Sequence, residues 1–176
     1  MRNRSSLYIG VMVLVLGAMF LVMNIGSTIG GVLSIVSMGN LWPLIVIWVG
    51  LGFFIPIFIW WDSRHKNYGL AMPGTIVLVN GLILFYCNLS GNWGAWAYLW
   101  TLEPFSVALG LLALYFLGPK KEQGLLVAAA VIGGASLAVF AILASALGGP
   151  IGGVVGAFLL IALGIILVAR AIVQRS

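Results

Sequence analysis

The sequence predicts an all-α integral membrane protein, with six transmembrane helices forming three parallel-repeat helical hairpins and both termini cytoplasmic. Three observations lead there. Of 176 residues, 63% are hydrophobic and 6% are charged, against about 25% charged in an average soluble domain. Six apolar runs each approach the roughly 20 residues that a helix needs to cross a bilayer. All eight Lys and Arg fall on one side of the resulting topology.

The composition also excludes whole classes of function. Eight basic residues, three acidic residues and one His cannot cover a water-facing surface, and the mean hydropathy is +1.23. A soluble enzyme, a nucleic-acid-binding domain and a disordered chain are ruled out together. The net charge of +5 needs no nucleic-acid partner, because it is accounted for by orientation in a membrane.

The runs are Leu7–Ile29, Leu41–Trp60, Gly69–Cys87, Leu99–Leu117, Gly124–Leu147 and Ile151–Ala169. Strands of a transmembrane barrel alternate apolar and polar over about 10 residues. These runs are continuous and twice as long, so they read as helices. Their short connections leave no room for a soluble domain, and residues 1–176 form one membrane domain.

Arg2 and Arg4 precede the first run; Arg64 and Lys66 lie in the second connection, Lys120 and Lys121 in the fourth. Arg170 and Arg175 follow the sixth run. Cytoplasmic loops collect Lys and Arg, which places both termini inside. Trp42, Trp93, Trp96, Tyr98 and Trp100 gather at the outer boundary, and Trp60, Trp61 and Tyr68 at the inner one, where amphipathic rings anchor helices. The first run is longer than the 7–15 residues usual for a signal peptide, and no Ala-x-Ala site follows it.

The chain repeats itself. Gly10, Gly17 and Asn24 are spaced by seven, and so are Gly74, Gly81 and Asn88, 64 residues later. Seven residues are about two helical turns, so each trio lies on one face. Val49-Gly50-Leu51, Leu109-Gly110-Leu111 and Leu163-Gly164-Ile165 echo one another in the even runs. The hairpins span about 5–61, 68–118 and 123–170. Each begins in the cytoplasm, so the repeats are parallel and related by an axis along the membrane normal.

Small residues let helix backbones approach closely in lipid. Gly10, Gly17, Gly74 and Gly81 are therefore expected to pack helices. Gly149, Gly152, Gly153 and Gly156 are expected to bring the fifth and sixth runs together backbone to backbone, or against a partner.

The stretch Asn40-Leu41-Trp42-Pro43-Leu44-Ile45-Val46-Ile47-Trp48-Val49-Gly50-Leu51-Gly52 resembles the transmembrane region of the LiaI/LiaF-like family. The segments Gly69–Thr75 and Gly91–Trp100 resemble its second hairpin, so the likeness covers about residues 5–118. The resemblance implies a bacterial inner-membrane protein linked to envelope-stress sensing, some members of which restrain a sensor kinase. This chain has Thr101-Leu102-Glu103-Pro104 where Trp-Pro is typical, and its third unit lacks the motif.

Four polar residues are candidates for function: Glu103, Asn80, Asn24 and Asn88. Glu103 lies near the outer end of the fourth run, where a carboxylate marks an ion path or else stabilises a helix N-terminus capped by Thr101. No Lys or Arg lies on its side of the membrane. Asn80 sits mid-membrane and is expected to hydrogen-bond a neighbouring helix. Asn24 and Asn88 read as caps or outer-turn formers. His65, between Arg64 and Lys66, reads as a solvated loop residue. Cys87, the sole Cys, reads as an apolar filler with no disulfide available. Gly148–Gly153 has no neighbouring Lys-Ser/Thr and is not a phosphate loop.

The sequence therefore points to a non-enzymatic membrane module without cofactor, catalytic or metal residues. Its expected partners are the lipid bilayer and another membrane protein or a second copy of itself. The alternative is a small channel or transporter whose polar path is lined by Asn80 and Glu103.

Overall fold

The computed structural model describes residues 2–29, 37–60 and 64–173. Several groups behind the expected orientation lie outside the described residues: the side chains of Arg2, Arg4, Arg64, His65 and Arg170, together with Trp61, Asp62 and Arg175. Every regular element among the described residues is helical.

The long helices follow the apolar runs. They are α1 (Arg2–Ile29), α3 (Pro43–Ile59), α5 (Ala71–Ser90), α7 (Leu102–Leu117), α8 (Gln123–Leu147) and α9 (Gly149–Val173). Three short helices sit between them: α2 (Met38–Leu41), α4 (Arg64–Asn67) and α6 (Trp96–Leu99). Three helical segments are long and apolar enough to cross a membrane: Ser6–Gly26, Tyr68–Ser90 and Gln123–Leu147. A fourth span results if Trp93–Leu99 and Leu102–Leu117, bent by 57°, act as one. The α3 helix, at 17 residues, and Gly149–Ile165 of α9 are shorter apolar helices. The chain is thus an all-helical protein with three to four candidate spans.

Local chemistry sets the element ends. Pro43 occupies the first position of α3, where its fixed φ already suits the helix. Gly91 ends α5 in the left-handed conformation (φ +65°) that glycine adopts without strain. The Lys121 ammonium donates to the last carbonyls of α7, those of Tyr115 and Phe116, at 3.0 and 2.7 Å.

Prolines also fix the kinks. The ring of Pro104 opposes the carbonyl of Trp100, four residues earlier, and the chain breaks at Trp100-Thr101. Within α3, Pro56 has no N–H to give to Gly52.

The main packing runs between consecutive long helices: α3 on α5, α5 on α7, α7 on α8 and α8 on α9. Ile83, Cys87, Ala95, Tyr98 and Ala144 form a core cluster towards one end of the bundle.

Candidate functional site

The glycines place the helix contacts. A Cβ on Gly74 would lie 2.8 Å from the Cβ of Phe53, and one on Gly81 would lie 2.9 Å from the Ile47 amide nitrogen. A Cβ on Gly50 would lie 2.7 Å from the Leu78 nitrogen. Helices α3 and α5 thus interlock at backbone range through glycines of both, as small-residue packing in lipid requires. Between α8 and α9 the same holds: a Cβ on Gly156 would lie 2.6 Å from the Ala141 carbonyl oxygen. The glycine-rich end of the chain therefore packs against itself.

Three of the expected packing glycines behave otherwise. A Cβ at Gly10 or Gly17 would meet nothing within 4 Å. Their spacing matches that of Gly74 and Gly81, but no helix among the described residues covers their face. Gly149 is a turn residue at φ +61°, also with nothing within 4 Å, rather than a packing position. Gly152 and Gly153 make looser contacts, with the Tyr98 hydroxyl at 3.4 Å and the Ser145 carbonyl oxygen at 3.6 Å from a Cβ position.

The polar candidates separate. Asn80 donates to the Ile76 carbonyl of its own helix at 3.1 Å, not to a neighbouring helix. One turn back along the helix an acceptor is always in reach, and this side chain takes it. Asn24 lies inside α1 rather than at its end, and its carboxamide donates to the Phe20 carbonyl at 2.8 Å. Asn88 does reach the segment that leads into α3, donating to the α2 carbonyls of Gly39 and Asn40 at 2.9 and 2.7 Å. Glu103 lies half-buried in the first turn of α7. Thr101 does not cap that helix: its hydroxyl donates back to the Tyr98 carbonyl at 2.6 Å. Cys87 is fully buried, as a filler should be.

Sequence reasoning missed two hydroxyl contacts between helices and one cavity. The Tyr8 hydroxyl of α1 donates to the Gly52 carbonyl at 2.7 Å. The Ser136 hydroxyl of α8 donates to the Thr101 carbonyl at the break in the bent pair. Finally, Tyr86, Asn92 and Tyr98 line a cavity of about 380 Å³ against the Gly148–Gly152 turn. None of the four polar candidates lines that cavity.

Comparison with family models, with curated proteins and with solved structures finds no match to this chain.

Proposed function

We propose that the protein is a non-enzymatic inner-membrane module of six spans in three hairpins, acting through helix–helix contacts. In this reading it serves as a scaffold, an accessory subunit or a regulator of envelope-stress sensing, the last on the strength of its LiaI/LiaF-like motifs. The observation that carries the proposal is the state of α1. Only 6% of its span is buried, against 33% of the span containing α5. Among the described residues its Gly10 and Gly17 face is open, whereas Gly74 and Gly81 at the same spacing are filled by α3. In lipid, a glycine face gains most from a second helix at close range. The occupant is a helix of a partner membrane protein or of a second copy.

The conduit reading draws no support from the polar side chains, since Asn80 bonds its own helix and Glu103 sits at a helix start.

The test is native mass analysis of the tagged full chain, taken from its own membrane in lipid nanodiscs, as wild type and as Gly17→Leu. A stoichiometric partner or second copy present with wild type and lost with Gly17→Leu is the expected result. Leu favours a helix over Gly by roughly 0.5–1 kcal/mol, so the variant itself stays folded. A wild-type chain that carries neither a partner protein nor a second copy overturns the proposal.

A further inference from the structure

One cavity differs in kind from the other grooves. Those in the membrane-facing surface are walled almost wholly by apolar side chains, such as Leu14, Ala18 and Leu44 between α1 and α3. The cavity of about 380 Å³ has polar groups in its wall, contributed by two turns at the same end of the bundle. Tyr86 comes from the last turns of α5, Asn92 from the α5–α6 connection and Tyr98 from α6. Gly148, Gly149 and Gly152 come from the α8–α9 turn.

Tyr98 is the built part of this site. It is only 7% exposed, and Phe140 packs on its ring with centroids 6.0 Å apart. Its hydroxyl sits beside that of Tyr86, and 3.4 Å from the position where Gly152 would carry a Cβ. Glycine at 152 thus lets the phenol reach the first turn of α9. That turn adds donors. The opening amides of a helix have no acceptor within it. Pro150 has no N–H, and Gly152 gives its own to Gly148 at 3.0 Å, which leaves Gly149 and Ile151. The Tyr86 and Tyr98 hydroxyls bond each other, so the pair has one proton left to give; the wall therefore offers one phenol proton, one carboxamide and two backbone amides, with no Lys, Arg, His, Asp or Glu among the lining residues.

A donor-rich wall without a cation, at the positive end of a 25-residue helix, suits acceptor oxygens that share a single negative charge. A phosphodiester presents such oxygens in divergent directions, which matches donors arriving from two separate turns. Leu147 and Ile151, at 57% and 81% exposed, border the cavity and offer apolar surface beside it. We propose that this cavity binds the phosphodiester headgroup of a membrane phospholipid, with Tyr98, its oxygen accepting from Tyr86, and Asn92 as side-chain donors and acyl chains lying along Leu147 and Ile151. This inference stands apart from the helix-contact function and does not use the α1 face.

The test is native mass spectrometry of the full chain in micelles titrated with three probes: phosphatidylglycerol, dioleoylglycerol and the deacylated diester glycerophosphoglycerol. The expected result is a saturable phosphatidylglycerol adduct that dioleoylglycerol does not form and that glycerophosphoglycerol displaces only weakly. Tyr98→Phe keeps the ring and removes one donor to a charged group, so the adduct weakens about tenfold. Asn92→Ala, at an exposed loop position, weakens it without touching the core. Gly17→Leu leaves it unchanged, which separates this outcome from that of the partner test. Equal binding of dioleoylglycerol, or indifference to both Tyr98→Phe and Asn92→Ala, overturns the site. Glycerophosphoglycerol binding as tightly as the lipid overturns the lipid assignment in favour of a soluble phosphodiester.

Discussion

The Tyr8 hydroxyl donates at 2.7 Å to the carbonyl of Gly52, the acceptor that Pro56 leaves without its helical N–H. The two facts explain each other. Among apolar side chains a carbonyl without a donor is costly, so a proline inside an apolar helix needs a donor from elsewhere. Gly52 has no side chain, which lets Tyr8 and Met12 of α1 approach its backbone. An edge-on contact of Tyr8 with Trp60, at 6.3 Å between centroids, holds the phenol in place. The Trp48 indole N–H adds a longer bond, 3.4 Å, to the Met12 carbonyl. One side of α1 is thereby tied to α3 while its glycine face stays open.

This pairing predicts a specific non-additivity. Tyr8→Phe removes the donor and strands the Gly52 carbonyl, so it destabilises the chain by about 1–3 kcal/mol. Pro56→Ala restores a helical N–H to that carbonyl. In the Pro56→Ala background, Tyr8→Phe is then expected to cost less than half as much. Thermal or denaturant unfolding of the four species in one detergent gives the coupling energy. Equal costs in both backgrounds would mean that Tyr8 does not answer the proline.

A second proline repeats the logic at the other end of α3. Pro43 has no N–H for the carbonyl of Gly39, and the Asn88 carboxamide donates to it at 2.9 Å, and to Asn40 at 2.7 Å. Asn88→Ala is expected to destabilise the α3–α5 pair by about 1 kcal/mol, the lower end because water reaches this turn. Asn88→Asp retains the size but has no N–H to donate, and places a carboxylate against two carbonyls. It is expected to be worse than Ala. Hydrogen exchange at Gly39–Leu44 reads the effect locally, and an Asp variant as protected as wild type would refute the clamp.

How much of this was legible in the sequence follows from what each signal measures. Apolar runs measure burial in lipid, and they located all six long helices to within a few residues. The i−4 rule for proline identifies which carbonyls lose their donor, here Gly39 and Gly52, but gives no hint of which side chain answers. That depends on how α1 and α5 lie against α3. Heptad spacing puts Gly10, Gly17 and Asn24 on one face, and Gly74, Gly81 and Asn88 likewise. It does not say what lies opposite, and the second trio packs on α3 while the glycines of the first meet nothing within 4 Å. Asn80 illustrates the limit for polar residues in a span. An amide in lipid must find a partner, but the nearest is the carbonyl one turn back. The cavity at Tyr98 was hidden because its wall joins segments about 50 residues apart, Tyr86–Tyr98 and Leu147–Gly152, with no motif in either.

The break between α6 and α7 is the last place where a side chain from one helix answers the backbone of another. Thr101 is 2% exposed and Ser136 is 6% exposed, so water does not compete well for the bond between them. Thr101 spends its own hydroxyl on Tyr98, which leaves its carbonyl to Ser136. Ser136→Ala is therefore expected to cost about 1–3 kcal/mol, because it strands a buried carbonyl rather than merely deleting a contact. Ser136→Cys, with a weak donor on a longer reach, is expected to recover part of the loss. The bend should also loosen, because Pro104 forbids the regular helix that would otherwise reclaim the backbone. Faster hydrogen exchange at Thr101–Phe105 in Ser136→Ala, with exchange in α3 unchanged, is the expected signature. If exchange rises equally in α3, Ser136 stabilises the bundle as a whole and not this bend.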